Sequence, residues 1–179
     1  MVALLALWGC GPEESAYDRD QKTREAQLQQ LKAQYLPFKG VYTGTLTYIN
    51  GNIVQVSLNI TNIEPLSNNV TTGSAIATPQ VSGTFNTCLD KDCFLKNPTS
   101  ISSSSPRLIS QGSYDGLSGI LTLNTVPPPN TPCNVLPEKN CAQDTITIWW
   151  ASGDHSTLEG GRVQGGSDPG NLKLVRRQP

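Results

Sequence analysis

Val54-Gln55-Val56-Ser57-Leu58-Asn59-Ile60-Thr61 alternates apolar and polar side chains without a fault. A period of two puts Val54, Val56, Leu58 and Ile60 on one face and leaves the other wet, the pattern of a half-buried strand. Upstream, residues 41–49 read as the partner strand, and Asn50-Gly51-Asn52 as the turn between them. A two-residue loop would mix faces by setting Leu46 opposite Gln55. A three-residue loop with Asn52 in the left-handed region sets Tyr48 opposite Val54, Leu46 opposite Val56 and Gly44 opposite Leu58, and this is the expected register.

Outward from this hairpin, further strands are expected at residues 74–87 with a break near Pro79, then at 107–114, 117–126, 144–151, 158–164 and 171–176. Seven or eight strands separated by turn-rich gaps predict a mainly β chain, an antiparallel meander forming a small barrel or sandwich. Gly40-Val41-Tyr42-Thr43-Gly44 and Gly112-Ser113-Tyr114-Asp115-Gly116 share the pattern G-x-Y-x-G, each leading into a Leu/Thr strand, and this weak echo fits a meander. Gly160-Gly161 and Gly165-Gly166 read as bends near the end of the sheet.

With 179 residues, 36% of them hydrophobic and 15% charged, the chain amounts to one domain and a little more. Its net charge of -1, with no basic cluster longer than Arg176-Arg177, removes the electrostatic reason to expect nucleic acid as a partner. Charge is uneven: residues 13–39 carry 10 of the 27 charged groups, and the composition changes near Gly40. Ser15 is a plausible N-cap, helix formers dominate to Gln34, and Pro37 stops the run, so one N-terminal helix is expected. Ala26, Leu28, Leu31 and Tyr35 form a narrow apolar stripe. Such a helix serves either as a free stalk or docked on the β domain, and docking is expected because an isolated helix of this length is marginal in water.

Before the helix, an apolar run from Val2 to Trp8 meets Gly9 and Cys10, and Gly11-Pro12-Glu13-Glu14 then ends any inserted segment. Leu7-Trp8-Gly9-Cys10 resembles the lipobox of bacterial lipoproteins. The resemblance covers the first dozen residues and implies lipidation of Cys10, cleavage before it, export and membrane anchoring, each buried acyl methylene contributing about 0.8 kcal/mol. It divides the chain into a signal peptide (1–9), a lipid anchor with helical tether (10–39) and a β domain (40–179). Residue 11 is Gly and not Asp, which in enterobacterial members of that class implies the outer rather than the inner membrane. Because no Lys or Arg precedes Cys10, the natural start is expected to lie upstream.

Four further cysteines fall in two close pairs. In an exported chain they predict the disulfides Cys88–Cys93 and Cys133–Cys141, each closing a short loop beside a strand. The competing four-thiolate zinc site would use spacings wider than the usual zinc-ribbon knuckles. Neither metal nor cofactor is expected. The sole histidine, His155, sits by Asp154 in a turn with no nucleophile motif in view, so no enzyme is expected. Ile146, Ile148 and Trp150 share the core face, leaving Trp149 on the opposite side, where the helix is expected to cover it; if exposed, Trp149 is a binding anchor. The loop residues Asp90, Lys91 and Asp92 form a second candidate binding surface. The functional expectation is a membrane-anchored envelope lipoprotein whose non-catalytic barrel or sandwich binds an envelope protein or has a structural role. The alternative is a carrier of a small apolar molecule, or an enzyme inhibitor acting through the loop 89–92. A cavity lined by Tyr42, Leu46, Val54 and Leu58 would favour the carrier, and a filled core the inhibitor.

Overall fold

A computed structural model describes residues 15–65, 75–94, 107–127, 143–164 and 169–178. One helix, α1 (Ala16–Tyr35), and a single 3-10 turn (Leu36–Phe38) precede nine strands: β1 (Gly40–Tyr48), β2 (Ile53–Pro65), β3 (Ile76–Ala77), β4 (Pro79–Cys88), β5 (Arg107–Asp115), β6 (Ile120–Val126), β7 (Asp144–Trp150), β8 (Thr157–Gln164) and β9 (Gly170–Arg176). Every pairing is antiparallel. β9 returns to β1 and β5 pairs with both β4 and β6, which closes the sheet into a barrel. The short β3 lies end to end with β4 along β5, the break falling at Thr78-Pro79, where proline brings no ladder donor. The barrel, rather than the sandwich, is thus the architecture.

Alternation decides what fills it. Tyr42, Leu46, Leu58, Phe85, Leu123 and Ile148 all point inward and are buried. Thr45, Asn59, Glu159, Asn171 and Lys173 stand on the outward parity. Apolar inside and polar outside is the reverse of a lipid-facing barrel. No helix among the described residues is long and apolar enough to cross a membrane.

The β1–β2 hairpin departs from the expected register. The Tyr48 N–H donates to the Asn52 carbonyl at 2.9 Å and the Gly51 N–H to the Tyr48 carbonyl at 2.9 Å, so the loop is Ile49-Asn50-Gly51. Leu46 therefore faces Val54, Gly44 faces Val56 and Tyr42 faces Leu58, two residues from the expected pairing. Gly51, at φ 83°, takes the left-handed position because it has no Cβ to crowd, and Asn52 does not need to. The glycines of β8 also differ from expectation. Gly160 is no bend; it sits within the strand, facing Ile148, where a Cβ would lie 1.9 Å from the Thr147 carbonyl oxygen.

The N-cap of α1 forms as its sequence suggests. The Asp18 N–H donates to Ser15 Oγ at 3.1 Å and the Ser15 N–H to Asp18 Oδ2 at 3.3 Å, a reciprocal capping box. Only the C-terminal half docks: Leu31 and Tyr35 are buried, whereas Ser15–Ala26 is exposed apart from the half-buried Asp20. The Tyr35 ring meets Tyr114 edge-on at 5.8 Å, and Phe38 stacks on Trp150 at 4.6 Å. Both tyrosines of the G-x-Y-x-G echo donate to this segment, Tyr42 to the Phe38 carbonyl at 3.0 Å and Tyr114 to Gln34 Oε1 at 3.3 Å. These contacts close one end of the barrel. Trp149 is not the docking residue that was expected. It lies 38% exposed on the outer face, and its inward neighbour Trp150 receives the N-terminal segment through Phe38.

Candidate functional site

At the barrel end away from the helix, the inward parity brings charges together. Arg107 of β5, Thr125 of β6, Asp144 of β7 and Arg162 of β8 are all buried. Arg162 donates to Asp144 Oδ2 from Nε at 3.1 Å and from Nη2 at 2.5 Å, and from Nη1 to the Tyr48 hydroxyl at 3.0 Å. Arg107 Nε lies 3.0 Å from the same Asp144 oxygen and donates to Thr125 Oγ1 at 3.0 Å. The Phe85 ring lies 5.3 Å from the Arg162 guanidinium carbon. Burial, then the neighbouring Arg162, pulls the Arg107 pKa below its ordinary value, while Asp144 opposes the shift. Two guanidiniums on one carboxylate leave a formal charge of +1, and Asp144 Oδ1 has no hydrogen-bond partner among the described residues. The cluster ties four neighbouring strands and fills this end with polar side chains. Tyr42, Leu46, Val54 and Leu58, the residues of the supposed carrier cavity, are packed at 0 to 8% exposure.

A concavity lies outside the barrel wall. After β4, the Cys88–Cys93 disulfide closes the loop that carries Asp90, Lys91 and Asp92. Asp90 Oδ1 accepts the Asp92 N–H at 3.1 Å, fixing the turn. Phe94, which follows, is buried although it belongs to no strand. Register sets Asn86 opposite Ser57, Ser57 opposite Thr43 and Thr43 opposite Val175, a row on the outer face of β4, β2, β1 and β9. Its first three members are buried in spite of their outward parity, and neither amide atom of Asn86 has a partner among the described residues. Beside this row opens a groove of about 350 Å³ whose lining includes Thr43, Gln55, Lys91, Phe94, Val175 and Arg177. Arg177 is held there by Nε donating to Thr43 Oγ1 at 2.7 Å and by its backbone N–H donating to the Val41 carbonyl at 2.8 Å. Arg176 borders the groove, but its Nη2 is committed to the carbonyls of Lys39 at 2.6 Å and Pro37 at 3.1 Å.

Of the residues singled out from sequence, Lys91 lines the groove, and Asp90 and Asp92 build the turn that presents it. Trp149 is not brought to them. It shares a transverse row with Glu159, Lys173, Thr45 and Gln55, so β8, β9 and β1 separate it from Gln55. His155 occupies an exposed turn at φ 56°, its ring 4.6 Å from that of Trp150. Cys10, Cys133 and Cys141 lie outside the described residues. The Arg107–Asp144–Arg162 cluster was missed, although a signal existed: Asp144 alternates with Ile146 and Ile148, Arg107 with Ile109, and Arg162 with Leu158, so each charge stands on core parity. Phe94 and Arg177 carry no local pattern that would have pointed to a groove.

No protein-family model and no curated protein matches the chain. Among solved structures, an S-type phycobiliprotein lyase from Guillardia theta aligns over 89% of this chain and 98% of its own, at 11% identity and a TM-score of 0.36. That protein is named as an enzyme, so the expectation that this chain is not an enzyme is corrected and not carried further. At that identity and score the likeness carries no argument about any reaction this chain performs.

Proposed function

We propose that this protein is a lipid-anchored protein of the bacterial envelope, held at the outer membrane through Cys10, whose barrel is a binding module. The observation that carries the reading is the division of α1. Its C-terminal half is packed into the barrel end through Leu31 and Tyr35, while Ser15–Ala26, which begins five residues after Cys10, keeps an almost wholly polar, exposed surface. At 1.5 Å per residue the exposed part of α1 rises about 16 Å, enough to hold a barrel clear of a headgroup layer. The filled interior removes the support for a carrier of an apolar molecule inside the barrel, and the binding surface is assigned to the outer groove beside Lys91. An inhibitor reading keeps one specific support, Leu89, which stands 80% exposed next to the disulfide-closed loop.

The test is expression with the native upstream sequence in a bacterial host, followed by membrane fractionation and mass analysis of the N-terminal peptide. A diacylated or triacylated Cys10 at the new amino terminus is expected, and Cys10→Ser should release the chain from the membrane fraction. An unmodified N-terminus on a chain left in the cytosol would overturn the reading.

A further inference from the structure

We propose that the groove beside the disulfide loop binds a small organic anion, its oxyanion headgroup between Lys91 and Arg177 and its apolar body against Phe94 and Val175. The proposal rests on the reading of the barrel as a binding module and is independent of the lipid anchor. Charge is the first argument. The groove's described lining includes the cations Lys91, Arg176 and Arg177 and no carboxylate, in a chain whose net charge is -1, so the positive character is local and not a property of the whole surface. Positioning is the second. Thr43 Oγ1 holds Arg177 through Nε at 2.7 Å, which leaves the planar edge of its Nη groups for a two-point contact with an oxyanion. Lys91 rides on a loop pinned by Cys88–Cys93, so less chain entropy is lost when it meets a ligand.

The apolar side is equally specific. Phe94 is buried against the groove, and Val175, 54% exposed, leaves an uncovered apolar surface beside Lys91 and Arg177. A volume of about 350 Å³ falls in the range of sites for small molecules and is too confined for a folded partner. With Arg176 Nη2 committed to the Lys39 and Pro37 carbonyls, Lys91 and Arg177 suit one headgroup rather than a polyanion.

The experiment is calorimetric titration of the full chain, carrying Cys10→Ser to keep it free of lipid and with its disulfide oxidised. The probes are anilinonaphthalene sulfonate and its uncharged relative phenylnaphthylamine. The sulfonate should bind about tenfold or more tightly than the uncharged probe, with an affinity that falls as salt is raised. Lys91→Glu combined with Arg177→Glu should abolish that preference. Equal affinity for both probes, no binding of either, or a preference that survives the double substitution would overturn the proposal. If the double variant fails to fold, the probe preference and salt dependence of the unsubstituted groove still decide. The mass of the N-terminal peptide decides the anchoring separately, so failure of the anion site is distinguishable from failure of the envelope reading.

Discussion

Replacing Asp144 by Asn changes the charge of the buried cluster and almost nothing of its shape. Asp144 Oδ2 lies between 2.5 and 3.1 Å from nitrogens of both Arg107 and Arg162, and all three residues are at most 4% exposed. At a charge separation of about 4 Å and an effective dielectric of about 20, each pair contributes about 4 kcal/mol of attraction before desolvation is counted. The substitution removes both attractions and leaves two guanidiniums buried side by side. Removing one partner from a buried pair costs about 3–5 kcal/mol, and two stranded cations put the expected loss at the upper part of that range. For a chain of this size that lowers the melting temperature by on the order of 10 °C. The assay is urea unfolding followed by the fluorescence of Trp149 and Trp150, where the midpoint should fall at a constant slope. Arg107→Met, which leaves Arg162 and Asp144 as a neutral pair, should cost less, and the two substitutions should be non-additive by more than about 1 kcal/mol. A loss under about 1 kcal/mol for Asp144→Asn would mean that water reaches the cluster, and the account of this barrel end as filled would be wrong.

Gly160→Ala should destabilise by about 2 kcal/mol or more in the same unfolding assay, because its Cβ would lie 1.9 Å from the Thr147 carbonyl oxygen and 3.0 Å from the Ile148 Cα. Full stability in that variant would contradict the close approach of β7 and β8. Replacing Cys88 and Cys93 together by Ser should cost about 2 kcal/mol for so short a loop in the chain-entropy model and should weaken anion binding in the titration; unchanged binding would detach Lys91 from the site. Burial pushes the Tyr42 phenol up to about 12, with Arg176 opposing. Since the unfolded phenol ionises near 10, stability should be complete below that pH and decline as pH climbs from 10 through 12, and Tyr42→Phe should remove that part of the decline in an alkaline unfolding series. At the acid end, hydrogen bonds from Ser152 and Ser156 hold the Asp154 carboxyl near 2, so its contribution is present above the usual carboxylate range and is lost as pH falls toward 2. A carboxyl carbon titration by NMR with a midpoint near 4 would refute those bonds.

Local pattern alone determined a good deal. Period-two alternation located the strands to within a few residues and assigned Val54, Val56, Leu58 and Ile60 to the interior, because each side chain's face depends only on its parity. Ser15 and Pro37 bounded the helix by capping and donor loss, which are also local, and cysteine spacing anticipated the Cys88–Cys93 bridge. Parity, however, is blind to a slip of two residues, so the β1–β2 register waited on which residue of the turn took the left-handed backbone, and Gly51 did. Closure was likewise beyond reach: the pairing of β9 with β1 is a contact between the two ends of the domain, and only closure brings Arg107, Asp144 and Arg162 around one point. The groove combines a loop after β4 with the outer face of β1 and the residue after β9, and no spacing along the chain records that Lys91 and Arg177 share it. What a residue's neighbours within a few positions decide was legible in the sequence. What required the ends of the chain to meet was decided by the tertiary structure, because burial and pairing across the barrel are fixed only when the whole sheet closes.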